Sequence, residues 1–219
     1  MAEISVIFFD VDGTLVDSRK DIVKAINYTL RRLGLPRKPA REIVSYVGTG
    51  VRDLVEKSLR NGKAARVDKA VKIFSAYYTK HSADFSKLYP HVKEILVYLK
   101  DKRKFILTNR YKDFADATLR ELEIRRYFED IIGGDDEDCK KPSACVLEKV
   151  LSKLKIDRRK AMIVGDMAID IETGKNSGVK TCWVTYGLGR RKDFPARGKA
   201  RLKPDYIIDD LIELEGIIN

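Results

Sequence analysis

The segment Val6-Ile7-Phe8-Phe9-Asp10-Val11-Asp12-Gly13-Thr14-Leu15 limits the folds open to this chain more than any other stretch, because an apolar run breaks off in two carboxylates one residue apart. The run reads as a buried strand. Side chains alternate along an extended chain, so Asp10 and Asp12 project to one side while Val11 turns back to the core. Gly13 permits a tight turn. Two ionised carboxylates this close repel each other, and a divalent cation or a retained proton relieves the repulsion. Either outcome suits phosphoryl chemistry.

Five more strand-like runs follow at Lys104–Thr108, Asp130–Gly133, Ala161–Gly165, Lys180–Thr185 and Tyr206–Ile208, separated by helical stretches. The alternation predicts an α/β fold, a doubly wound parallel sheet with helices on both faces. Residues 16–88 show no convincing strand and are too long for a simple crossover. Their apolar periodicity predicts helices near Asp21–Leu33, Val51–Leu59 and Val67–His81, with a break at Gly34-Leu35-Pro36. The expected organisation is therefore a core of residues 1–15 and 89–219 carrying a helical insert, residues 16–88, placed to act as a lid beside the acidic strand end.

Ligands bind beyond the carboxyl ends of parallel strands, so the residues just after each strand are the informative ones. After the first stand Asp10, Asp12 and Thr14. After the second, Thr108 and Asn109 offer a hydroxyl and an amide that suit phosphate oxygens without adding charge. After the third, Gly133-Gly134-Asp135-Asp136 leads to Lys140-Lys141-Pro142, where either lysine is a candidate for neutralising phosphate. After the fourth, Asp166 and Asp170 supply further hard oxygen ligands.

With DxDGT, a strand ending in Thr, a lysine before proline and GDxxxD in this order, the chain resembles the haloacid dehalogenase-like hydrolase superfamily along essentially its whole length. Tyr46-Val47-Gly48-Thr49-Gly50, Gly133-Gly134-Asp135-Asp136 and the run from Asp170-Ile171 to Gly178-Val179 are most similar to its phosphoglycolate phosphatase-like branch. The resemblance implies a Rossmann-like core with an α-helical cap and an Mg²⁺-dependent phosphomonoesterase. Asp10 would be the nucleophile that becomes an aspartyl-phosphate, and Asp12 the general acid and base. Thr108 and Lys141 would hold the phosphoryl group. Mg²⁺ would be bound by Asp10, the Asp12 main-chain carbonyl and Asp166, with Asp170 direct or through water. Thr14, Asn109, Gly48, Gly50 and Arg52 are the candidate substrate contacts. The dehalogenases themselves lack the second aspartate of the first motif, so Asp12 favours phosphate over halide. Ala144, His91 and Arg110 depart from the usual pattern, where proline, glycine and lysine are common; none removes a reacting group. Phosphomutase and pyrophosphatase activities keep the same groups and stay open.

Composition narrows the partners. No apolar stretch is long enough to span a bilayer and no signal core opens the chain, so the expected location is the cytoplasm. Cys139, Cys145 and Cys182 are odd in number and lack zinc-site spacing; they read as reduced thiols. A net charge of +11 raises nucleic acid as a partner, but charged residues make up 35% of the chain with both signs interspersed, so a small phosphorylated metabolite is the expected partner and nucleic acid the disfavoured one. The segment from Arg190 to Lys203 is the one strongly basic run, and a polyanion-binding protein using it is the reading from another class. Abundant Lys, Arg and Glu with no Gln is a thermophile-like composition. Nothing specifies oligomeric state; a homo-oligomer is compatible with the chain.

Overall fold

The computed structural model describes residues 3–60, 64–135, 138–190, 192 and 202–218. In chain order the elements are β1 (Val6–Phe9), β2 (Val16–Asp17), α1 (Arg19–Arg32), α2 (Ala40–Val44), α3 (Val51–Ser58), α4 (Ala64–His81), β3 (Lys87–Leu88), α5 (Val92–Tyr98), β4 (Arg103–Leu107), α6 (Lys112–Glu121), β5 (Asp130–Ile132), α7 (Cys145–Leu154), β6 (Ala161–Gly165), α8 (Ala168–Ser177), β7 (Lys180–Val184) and β8 (Tyr206–Ile208).

Six strands form one parallel sheet in the order β5-β4-β1-β6-β7-β8. The central strand is apolar at every position because both its faces are covered. Ile7 and Phe9 pack toward α5, α6 and the C-terminal turn at Leu211 and Leu214, while Val6 and Phe8 pack toward α7. Phe8 lies opposite Phe105 on β4 and Ile163 on β6, so the parallel register brings the ends of β1, β4 and β6 level. All residues that follow those strands therefore meet on one edge of the sheet. This is the expected doubly wound α/β core.

Helices α1 to α4 lie between β2 and β3 and gather their apolar faces into a separate cluster. On α1 these are Ile22, Ala25, Ile26 and Leu30, at helical spacing; on α4 they are Val67, Ala70, Phe74 and Tyr78. Phe114 of α6 enters this cluster from the core. Gly34, at φ +69°, turns the chain after α1. Two features of this region differ from the sequence expectation. Helix α2 has only five residues and a single fully buried one, Ile43, too short for a period to register. The insert is also closed by a strand pair: Val16 faces Leu88 and Asp17 faces Lys87 in an antiparallel ribbon. Two residues cannot show alternation, and only pairing makes them strands.

The cysteine expectation is corrected. Cys139 and Cys145 form a disulfide, because the turn through Pro142 returns the chain and places their Cα atoms 5.8 Å apart. Cys182 is a free, buried thiol. Asp136 and, within the basic run, residues 191, 193–201 lie outside the described residues. Among the described residues no helix is long and apolar enough to cross a membrane.

Candidate active site

The main chain carries β1 one residue past its formal end: the Asp10 amide donates to the Val164 carbonyl at 3.0 Å, fixing Asp10 at the sheet edge. Gly13 then turns at φ +93° and its amide reaches the Val16 carbonyl. A β-carbon at Gly13 would stand 2.3 Å from Asp166 Oδ2, so this position must be glycine for two reasons, backbone conformation and close approach.

Three buried carboxylates, Asp10, Asp166 and Asp170, come together with ligand oxygens all within 4.8 Å of one another. Lys141 Nζ enters the group, donating to Asp10 Oδ1 at 2.7 Å and Asp170 Oδ1 at 2.6 Å. Lys141 is thus the lysine that meets the carboxylates; Lys140 Nζ lies beside Gly50 instead. Asp170 is held in the first turn of α8, where Oδ2 accepts the Met167 amide. Asp166 is held by more donors than any sequence pattern suggested: Thr14 Oγ1 at 3.0 Å on Oδ1, and the Leu188 and Gly189 amides at 2.6 and 3.0 Å on Oδ2. Gly187 and Gly189 after β7 are the signal that could have been read, since side chains there would collide with Asp166.

The second carboxylate of the first motif has separate partners. Asp12 is clamped by the Arg110 guanidinium, with Nε on Oδ2 at 3.1 Å and Nη2 on Oδ1, and it accepts from the Ser18 hydroxyl. Arg110 is buried, and its Nη1 donates to Thr118 Oγ1 at 2.9 Å. Its position is set by the Gly134 amide, which holds the Arg110 carbonyl at 2.8 Å. Sequence reading noted Arg110 only as a departure from the usual lysine; the structure makes it the bidentate partner of Asp12.

Electrostatics follow from burial. Desolvation pushes Asp10 well above the usual carboxylate range; Lys141 opposes this, while Asp170, Asp166 and Asp12 add to it. Asp166 is pushed up to about 7, by burial first and then by Asp170, against the donors on its oxygens. Burial alone would lower Lys141, but Asp10 and Asp170 more than offset it and hold the ammonium firmly charged. Among the described residues the four carboxylates touch two cations directly, Lys141 and Arg110, which leaves an excess of negative charge in a buried place. That excess, with hard oxygen donors, is what a divalent cation of the Mg²⁺ type fits.

The groups open onto a cavity of about 50 Å³ between sheet edge and helical insert. Asp10, Asp12, Thr108, Asn109, Lys141 and Asp170 line its floor, and Gly48 and Gly50 reach it from the insert. Thr108 Oγ1 accepts the Arg110 amide at 3.2 Å, leaving its own proton to donate into the cavity. Asn109 is used structurally: Nδ2 donates to the Gly48 and Lys141 carbonyls at 2.9 and 3.0 Å, and Oδ1 accepts the Lys141 amide at 2.9 Å. It ties the insert loop to the lysine rather than reaching outward.

Two expected substrate contacts are placed elsewhere. Thr14 is fully buried on Asp166, and the Arg52 guanidinium points to Asp68 at 2.7 Å in solvent. In both cases a carboxylate within reach captured the polar group. The remaining wall is apolar, including Ile22, Val51, Leu54 and Phe74, and contains Tyr78, which lies against the Arg110 guanidinium and whose buried hydroxyl makes no well-formed hydrogen bond among the described residues. Burial raises the Tyr78 phenol, so it stays a neutral donor.

The family described as "Haloacid dehalogenase-like hydrolase" matches residues 7–184. The chain is 38% identical to the phosphoglycolate phosphatase of Aquifex aeolicus over 184 residues, covering 83% of this chain and 85% of that one. It is 33% identical to the phosphoglycolate phosphatase of Nitrosococcus oceani over 220 residues, 97% and 96% of the two chains. Among solved structures, a predicted phosphoglycolate phosphatase from Haemophilus somnus superposes over 100% of both chains with a TM-score of 0.90 at 26% identity. A haloacid dehalogenase-like family protein from Streptococcus pneumoniae does so with a TM-score of 0.86 at 28% identity.

Proposed function

The chain belongs to the haloacid dehalogenase-like hydrolase family, and we propose that it hydrolyses phosphoglycolate or a closely similar small phosphomonoester through an aspartyl-phosphate on Asp10, with Mg²⁺ as cofactor. One observation carries this reading: Asp10 stands at a cavity floor between a buried ammonium and two further buried carboxylates. A carboxylate so placed attacks phosphorus while its neighbours hold the charge of the transferring group.

In this mechanism Asp10 Oδ2 attacks phosphorus, and the bond from phosphorus to the ester oxygen breaks. Lys141, already 2.7 Å from Asp10, and the Thr108 hydroxyl take the phosphoryl oxygens. Asp12, having taken up a proton from solvent, gives it to the departing alkoxide and then removes one from the water that cleaves the aspartyl-phosphate, returning Asp10. The Arg110 clamp and Ser18 fix the orientation of the Asp12 carboxyl group. The residues that would hold Mg²⁺ are Asp10, Asp166, the Asp12 main-chain carbonyl and Asp170, the last directly or through water. When bound, the ion would offset the buried negative charge, keep Asp10 ionised and draw charge from the phosphoryl oxygens.

The helical insert, residues 16–88, serves as the cap. Its apolar wall excludes bulk water, and the small volume suits a short leaving group. The Tyr78 hydroxyl, without a well-formed hydrogen bond among the described residues, supports an oxygen-bearing one, since a substrate carboxylate or hydroxyl would satisfy it. Two curated relatives named phosphoglycolate phosphatase support the choice among such esters. The proposal places the enzyme with phosphorylated metabolites in the cytoplasm. It is tested by phosphate release from a panel of phosphomonoesters, sugar phosphates and pyrophosphate, with Mg²⁺ and with EDTA. Phosphoglycolate should rank first, with activity abolished by EDTA and by Asp10→Asn. Preference for pyrophosphate, conversion of a sugar 1-phosphate to its isomer without phosphate release, or full activity of Asp10→Asn would overturn it.

A further inference from the structure

The positive charge of this chain is not spread evenly. Residues 16–88 hold 17 Lys and Arg against 7 Asp and Glu, whereas the rest of the chain holds 27 against 26. Nearly the whole net charge of +11 therefore sits on the cap.

Within the cap it is concentrated on one side. Three adjoining depressions of about 540, 290 and 370 Å³ follow the outer face of α1, sharing Lys24 or the Tyr28–Tyr77 pair as common walls. The first is lined by Lys20, Lys24 and Arg41, together with Arg19; the second adds Arg31 and Arg37; the third adds Arg32 and Lys80. No acidic residue lines any of the three. The acids nearby are already committed: Asp17 to Arg19, Glu42 to Lys38, Asp84 to His81, and buried Asp21 to Ser86 and the Phe85 amide. Apart from Arg19, none of the lining cations has a carboxylate partner among the described residues. Seven like charges gathered without carboxylate partners repel one another, a repulsion that an anionic ligand relieves.

The floor of the furrow is aromatic. Tyr28 stacks on Tyr77 with ring centroids 4.2 Å apart, and Tyr77 stacks on His81 at 4.3 Å. Phe85, 44% exposed at the other end, lies under Lys24 Nζ at 3.8 Å from its centroid. Lys20, Lys24, Tyr28 and Arg31 recur at helical spacing along one stripe of α1, about 17 Å from first to last. An interrupted row of cations flanking half-buried tyrosine rings and the exposed Phe85 in a concave track is the chemistry that holds a phosphate backbone while bases stack. An anionic bilayer would favour protruding apolar groups over recessed rings, and an acidic peptide has no use for a stacking platform.

We propose that this furrow is a binding site for single-stranded nucleic acid, separate from the catalytic cavity and on the opposite, solvent side of α1 from Ile22, which lines that cavity. The proposal does not depend on the substrate assigned above, because none of the furrow residues named for the test below lines the catalytic cavity.

The test is fluorescence anisotropy with a labelled 12-mer of oligouridylate and the full-length protein, from 50 to 200 mM salt. With four phosphates engaged, the single-strand slope of about −0.7 per phosphate gives an affinity loss of about 50-fold over that range. The triple substitution Lys24→Ala, Arg31→Ala, Arg37→Ala should weaken binding more than tenfold at the lower salt and flatten the slope to about −0.7. The pair Tyr28→Ala, Tyr77→Ala should weaken it roughly 5- to 100-fold with the slope kept, because stacking carries no salt dependence. Phosphatase activity of each variant, unchanged, shows that the fold is intact. The proposal is overturned if the wild type does not bind at 50 mM salt, or if both variants bind as it does. It is likewise overturned if polyglutamate or phosphatidylserine vesicles compete as well as unlabelled oligouridylate.

Discussion

Metal-free protein should lose stability as pH rises from 5 to 8, opposite to the usual behaviour of paired carboxylates. Asp166 is raised from the ordinary 3.8 to about 7 by burial and by Asp170. Its folded form therefore holds a proton that the unfolded chain has already released, and the stability this supplies is complete below pH 4 and lost as pH rises through 7. Each unit is worth about 1.4 kcal/mol, so the two units from pH 5 to 7 remove about 3 kcal/mol, or roughly 6–12 °C in Tm for a chain of this size. Asp10, pushed up by the same burial, adds in the same sense. Mg²⁺ competes with those protons, so the Tm gain on adding it should be several-fold larger at pH 8 than at pH 5. The assay is thermal unfolding in EDTA and in millimolar Mg²⁺ across this range, with Asp166→Asn as control, whose EDTA profile should be flatter. A stability of the EDTA form that is level or rising from pH 5 to 7, or a Mg²⁺ gain equal at both ends, would refute the reasoning.

Arg110→Ala leaves Asp12 as a part-buried carboxylate without its clamp, at an expected cost of about 2–3 kcal/mol, read by urea unfolding; Arg110→Lys should recover part of the stability and less of kcat, since a lysine cannot bind both oxygens. Thr14→Val keeps the shape but removes the donor on Asp166 Oδ1, and isothermal titration should show Mg²⁺ binding 10- to 100-fold weaker. Tyr78→Phe removes a buried hydroxyl without a well-formed hydrogen bond, so the free protein should be equal or up to about 1 kcal/mol more stable while KM for phosphoglycolate rises about 3- to 10-fold; an unchanged KM would remove Tyr78 from the substrate site. Arg52→Ala, by contrast, should leave kcat/KM within about twofold, because an exposed ion pair on the far side of α3 contributes little.

Much of the site was legible because its chemistry is written as short-range pattern. A four-residue apolar strand can end in Asp10 and Asp12 only at the carboxyl edge of a sheet, and the same logic marked Thr108 and Asp166 at the ends of later strands, whereas the choice of Lys141 over Lys140 fell to the structure. Periodicity likewise exposed α1, α3 and α4, where many apolar residues repeat, and missed α2 and the β2–β3 ribbon, where too few residues exist for any repeat.

Residue types and their order along the chain were thus enough to specify a buried parallel sheet, its acidic edge and the class of reaction that edge performs. Which partner each polar group takes was beyond their reach. Thr14 on Asp166, Arg52 on Asp68, Asn109 across Gly48 and Lys141, Arg110 on Asp12, and Cys139 with Cys145 are choices among several eligible neighbours, decided by distances between residues as many as 152 positions apart. The same holds for charge: the cations of the cap are scattered in the primary structure, and helix packing gathers them along α1. Short-range pattern reports what a residue is able to do; the energy of hydrogen bonds and ion pairs falls off within a few ångströms, so what it does depends on what folding brings beside it.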